Sequence, residues 1–241
     1  MSYAYVISLK SFKEEEMEVK AIKDKLEEAK KIYFMDEFRA FMRKMKGLTD
    51  DDFNKPVPRI KEKILKSRET VPIELFERIM KELATEWKGS TPLPVNSEWH
   101  HFIVPGVIMC ALRNNGYSIT DNDIYEAISR GQKFAGGSCG FMGTCGGAYS
   151  VGIVASLIKK TTPLHDEERS EILQLVAETL NDIAKYPRRC CKRSSYLALE
   201  KAVDYLKNNG FEKITSKEIK CQWASQNKMC LDIRCLYFPK K

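Results

Sequence analysis

The sequence lacks most of the features that announce a function. None of its apolar runs approaches the roughly 20 residues that span a bilayer. The longest mostly apolar stretches, 101–112 and 148–158, are better explained as buried helices. Residues 1–10 do not combine a basic start with a long apolar run, as a secretory signal requires, and residues 11–31 are dense in Lys and Glu. A cytoplasmic protein without membrane contact is expected. There is no internal repeat, no low-complexity tract, no Arg/Gly tract and no RNA-recognition aromatic motif. No glycine cluster is followed by the Lys of a phosphate-binding P-loop, so nucleotide binding is a weak reading. Histidine is limited to three residues, and cysteine is missing from the first 109.

What is present is concentrated. Of eight cysteines, seven fall after residue 138. Cys139 and Cys145 sit within a stretch, 136–147, that holds six of the thirteen glycines. Cys190 and Cys191 follow in Pro187-Arg188-Arg189-Cys190-Cys191-Lys192-Arg193, and Cys221, Cys230 and Cys235 come near the end. With no export signal, such a set reads first as a metal or redox site and second as a disulfide framework.

A hydrophobic fraction of 43% in 241 residues suffices for a self-sufficient core. The formal charge of +7, from 40 basic and 33 acidic residues, is compatible with an anionic ligand or RNA and proves neither. Helical periodicity runs over 14–31, 34–45, 60–67, 73–88, 101–114, 121–130, 148–160, 166–185 and 196–208. Asp123, three residues after Thr120, suggests a capping box. Residues 3–9 alternate loosely, as in a short strand. The breaker-rich stretch 89–97 reads as a linker, because no cysteine precedes it. The fold expected is mostly α: a charged helical N-terminal region over 1–90, then a compact helical cysteine-rich domain over 91–241, with room for a short strand at the ends.

Among the cysteines, Cys110 lies in Ile108-Met109-Cys110-Ala111-Leu112 and fits a small buried apolar residue. The other seven, Cys139, Cys145, Cys190, Cys191, Cys221, Cys230 and Cys235, are candidate metal ligands. Cys139 and Cys145 precede an apolar helix whose N-terminal dipole would favour thiolate, and Cys190 and Cys191 lie among cations that would do the same. The eight- and four-residue gaps between the last three depart from the C-x-x-C knuckle of a zinc ribbon. Thiolates from separate loops are equally suited to an iron–sulfur cluster with one open iron. His100 and His101 are candidate proton carriers, of which at most one should face a shared site, since adjacent helix positions diverge by about 100°. Arg188, Arg189, Lys192 and Arg193 are candidates for holding an anionic group on a small substrate.

The strings Cys139-Gly-Phe-Met-Gly-Thr-Cys145-Gly-Gly, Thr162-Pro-Leu with Glu167-Glu168-Arg169, 189–199, and the tail cysteines resemble an uncharacterised prokaryotic cysteine-rich domain family over about residues 98–237. Some of its members are associated with methyltransferases. The order of cysteine, glycine-rich segment, apolar helix and later basic-flanked cysteine is more weakly similar to iron–sulfur serine dehydratases and cysteine desulfidases. That likeness implies Cys139 as a first cluster ligand and Cys190 or Cys191 as a last.

The leading expectation is a [4Fe-4S] protein, a lyase or sulfur-transfer enzyme, performing non-redox elimination or sulfur removal on a small molecule. Alternatives are a zinc- or cluster-stabilised accessory module whose partner is a methyltransferase or RNA-modifying enzyme, and a thiol redox protein.

Overall fold

The structure, a computed structural model, describes residues 3–87 and 92–239, with side chains described from residue 16 onward. Among these residues the regular structure is all helical, with no strand. Residues 3–9, expected to be extended, lie within helix α1 (Tyr3–Ala29). Helical formers from residue 12 onward continue the same element backwards, so local alternation is overridden.

The chain divides into two compact units, residues 1–50 and 51–241. The first contains α1 and α2 (Met35–Met45), which pack on each other. Helix α2 begins with Asp36 and Glu37 and ends with Arg43 and Lys44, matching both ends of its dipole.

The second unit holds α4 (Val57–Leu65), α5 (Pro72–Glu86), α6 (His100–Asn114), α7 (Asp121–Gln132), α9 (Gly146–Ile158), α10 (Asp166–Ala184) and α11 (Cys191–Asn208). Two short turns of helix, α3 (Asp50–Asn54) and α8 (Ser138–Phe141), complete the series. Its centre is α6, which packs against α4, α5, α7, α9 and α11. A helix touched on all sides should be apolar all round, and every residue from Phe102 to Leu112 is buried. Pro105 lies inside it and has no N–H to offer the carbonyl of His101. The Ser150 hydroxyl lies 2.6 Å from the Gly146 carbonyl and 3.2 Å from that of His101, so its one proton is shared between α9 and α6. The Thr120–Asp123 capping box that starts α7 is present in both directions.

The domain boundary expected at residue 90 is corrected. Helices α4 and α5 belong to the cysteine-bearing unit, which begins at Asp51. Residues 89–91 of the expected linker lie outside the described residues; Leu93, Pro94, Val95 and Ser97 are buried. Breaker residues interrupt regular structure but do not decide whether a segment is solvated. Here Asn96 accepts the Cys191 N–H at 2.8 Å, which draws the segment across the start of α11.

Helix α10 is more peripheral than its pattern suggested: Leu175 and Thr179 are its buried residues, while Leu173 is exposed. No helix among the described residues is long and apolar enough to cross a membrane.

Candidate functional site

The seven candidate cysteines gather around two neighbouring spaces. Cys139, Cys145, Cys190 and Cys191 line a cavity of about 500 Å³, together with Glu98, His101, Arg188 and Arg189. Cys190, Cys221, Cys230 and Cys235 line a second pocket of only about 10 Å³, with Lys192, Tyr196 and Trp223. Cys190 faces both. Cys110 belongs to neither; it is fully buried and its thiol donates to the Ile64 carbonyl at 3.0 Å, the structural role expected for it.

The larger cavity is built by the glycine-rich loop. Gly137 and Gly143 take positive φ, +94° and +64°, which lets the chain fold tightly around α8 and carry Cys139 and Cys145 to the same wall. Gly146 is required for a different reason: a Cβ there would enter the His101 imidazole. The first turn of α9 therefore rests directly on that ring. His101 is fixed from its other side by Nδ1, 3.0 Å from the Phe134 carbonyl, and by edge-on contact with the Phe134 ring at 5.1 Å between centroids. Because a carbonyl can only accept, Nδ1 carries the proton and Nε2 keeps its lone pair. Burial holds His101 below its ordinary pKa, so it is neutral at pH 7.

His100 points elsewhere. It is buried beside Phe76, with Nδ1 against the Ser97 carbonyl at 3.0 Å and Nε2 without a hydrogen-bond partner. Burial and then the Lys192 charge push its pKa well below the usual value. The two histidines diverge as adjacent helical residues must, and of the pair it is His101 that lines the open cavity.

The basic cluster divides in the same way. Arg189 sits among the cavity thiols: the Cys191 sulfur raises its pKa most, burial opposes, and Cys139 and Cys145 add to the rise. Its Nε is buried without a hydrogen-bond partner. Arg188 is exposed at the cavity wall, and its Nη1 donates to the Cys230 carbonyl at 3.3 Å.

Two of the expected anion-binding residues are engaged within the protein, although Arg193 also lines the larger cavity. The Arg193 guanidinium donates to the Arg188 carbonyl and lies over the Tyr186 ring, so it closes the turn before α11. Lys192 is fully buried between the rings of Trp223 and Phe76, its Nζ 4.1 and 4.8 Å from their centroids. Burial lowers its pKa to about 7. A residue one position after Cys191 on a helix cannot share its outward direction.

Easy ionisation of the helix-start thiols is also corrected. Burial pushes Cys145 up, opposed by the Gly147 N–H and the Ser194 hydroxyl. Burial likewise raises Cys190, the N-cap of α11, against the Arg193 N–H that its sulfur accepts at 3.5 Å. In both cases loss of water outweighs the helix terminus.

Sequence reading missed Glu77 and Glu98. Glu77, on α5, accepts from the Tyr196 hydroxyl and, at 2.9 Å, from Trp223 Nε1. Its signal was its place beside Phe76 on the inner face of an amphipathic helix. Glu98 lies against Gly136, where a Cβ would meet its carboxylate. Among the described residues, no group of three or more His, Cys, Asp or Glu side chains is already arranged to hold a metal ion.

A protein-family model of unknown function, DUF5714, matches residues 60–238. The chain belongs to the DUF5714 family. The DUF5714 region begins within α4 and ends in the tail, so it takes in both thiol-lined spaces and both histidines, and leaves α1 and α2 outside. No curated protein and no solved structure matches the chain.

Proposed function

We propose that the protein holds an iron–sulfur cluster through Cys139, Cys145 and Cys191 and uses it for non-redox elimination or sulfur removal on a small anionic molecule. One observation carries the reading: four thiols from two distant chain segments, Cys139, Cys145 and Cys191 among them, a half-buried arginine and a neutral histidine line one cavity of about 500 Å³. That space admits both a cluster and a small ligand, whereas the second pocket does not. When bound, the cluster would supply a Lewis-acidic iron that three protein thiolates leave open.

The residues present fit this assignment by chemistry rather than by preformed spacing, so loading has to bring the thiols closer. Arg189 would neutralise their charge as they ionise, which offsets the cost burial imposes on Cys145. Its unpartnered Nε and the exposed guanidinium of Arg188 are donors for a carboxylate or similar anion. His101 lines the cavity, and its unprotonated Nε2 would take a proton from the substrate.

Anaerobic reconstitution with iron and sulfide tests the proposal. A brown protein is expected, with its visible spectrum altered by small thiols or carboxylates. Cys139→Ser and Cys191→Ser should lose the colour while keeping helicity. A chain that retains no iron or sulfide, or variants that load like the parent, would remove the reading.

The accessory-module alternative, with a methyltransferase or RNA-modifying enzyme as partner, draws on the separate helical unit of residues 1–50. It predicts a spectrum that small ligands leave unchanged.

A further inference from the structure

We propose that Cys190, Cys221, Cys230 and Cys235 form a second thiolate centre that binds one zinc ion and fastens the C-terminal tail to α11. The inference does not rest on the cluster assigned to the larger cavity.

The tail has little regular structure; its backbone is closed by a bond from the Cys221 N–H to the Tyr237 carbonyl at 2.8 Å, and side chains tie it to the helices. Beyond Asn208 the described chain contains only two three-residue 3-10 helices, Ala224–Gln226 and Asp232–Arg234. Yet Ile214, Trp223, Leu231 and Tyr237 are buried. Four thiols, one from the start of α11 and three from the tail, surround the same small pocket.

Donors are aimed at these sulfurs. The Arg193 N–H and Asn227 Nδ2 each lie 3.5 Å from the Cys190 sulfur, and the Asp232 N–H lies 3.3 Å from that of Cys230. The Trp223 backbone N–H faces Cys221, while the neighbouring Tyr196 hydroxyl gives its proton to Glu77. Such donors stabilise the anionic sulfur that a metal requires and orient it.

The second observation is Lys192. Its side chain is 0% exposed, it lines this pocket, and its Nζ has no hydrogen-bond partner. A buried amine without a partner is costly unless something opposite completes it. The Glu77 carboxylate is the first opposite charge it feels, followed by the sulfurs of Cys221, Cys190 and Cys191; four thiolates on a divalent cation would add net negative charge that the ammonium balances.

Pocket size selects the ligand. About 10 Å³ suits one ion and excludes a multi-atom cluster. Zinc bound by four sulfurs at about 2.3 Å is the chemistry that this ligand set prefers. The thiols are not yet gathered around a metal position, so zinc uptake must draw the tail inward, and binding and tail ordering become one event.

The test uses the full chain, loaded with zinc and then freed of excess metal. One zinc per chain is expected. Cys230→Ser and Cys235→Ser should release it without lowering iron or sulfide at the larger cavity, and Cys139→Ser should retain it. Lys192→Met should weaken zinc affinity by roughly tenfold. Chelation should open residues 210–239 to protease while the helices stay intact. If the serine variants do not fold, the zinc content and chelation response of the parent chain still decide. A parent chain that retains no zinc, a chelator without effect on the tail, or zinc lost equally from Cys139→Ser would overturn the proposal.

Discussion

The two thiol-lined spaces are made from the same residue type and are walled differently. The larger is bordered by a loop of glycines, so backbone lies where side chains would otherwise fill the volume, and arginine guanidinium groups reach it from one side. The smaller is packed by Trp223, Tyr196 and Tyr237, with an ammonium enclosed between aromatic faces. Whether a cysteine cluster can take a substrate or only an ion is thus set by its neighbours. Glycine leaves room, and aromatic rings remove it.

The most severe test of this contrast is the adjacent pair. Cys191→Ser is expected to abolish iron and sulfide loading while leaving zinc, and Cys190→Ser the reverse; quantifying both metals in each variant decides. Loss of both metals from both variants would merge the two spaces into one site.

Next in size is Glu77→Ala, which removes the acceptor shared by Tyr196 and Trp223. Two donors left without a partner in the interior should lower stability by about 2–4 kcal/mol, seen in the urea midpoint and in Trp fluorescence. The tail pocket should suffer and the larger cavity should not.

Gly146→Ala probes the other side. Its methyl would enter the His101 ring, and a cost of about 1–3 kcal/mol is expected together with impaired turnover. Gly140→Ala, which meets nothing within 4 Å, should stay within about 0.5 kcal/mol.

The smallest effect is on pH. His100 and His101 are both held below the ordinary histidine pKa by burial. Between that value, about 6.5, and the lower folded ones, the unfolded chain binds more protons. The histidine contribution should therefore be intact above about pH 6.5 and fall as the solution is acidified, by less in His101→Gln, while Lys192, lowered to about 7, adds a further rise of stability with pH above that value. Denaturation midpoints across pH 5–8 measure it.

Much of the fold was legible because burial imposes a helical period: the strongly patterned segments appear as helices within a few residues of their expected ends. The capping box at Thr120 and the inert role of Cys110 were legible because both are local. The boundary at residue 90 was not, since Leu93 and Val95 look like linker residues until α6 and α11 are seen around them. Nor was the division of the cysteines, because Cys190 and Cys191 are indistinguishable in composition and differ only in where α11 points them. Arg189 and Lys192, equally basic on paper, end in different surroundings for the same reason.

The sequence by itself determined a mostly helical chain with seven of its eight thiols after residue 138, because helical period and residue identity are local properties. Only the tertiary structure decided that Cys139 and Cys145 line one cavity with Cys191, and that Cys190 also borders the tail pocket. Those placements depend on crossings such as α9 resting on the His101 ring through Gly146, and on the loss of water that moves the Cys145 and His101 protonation equilibria. Neither follows from spacing along the chain, since both arise from what distant segments exclude when they pack.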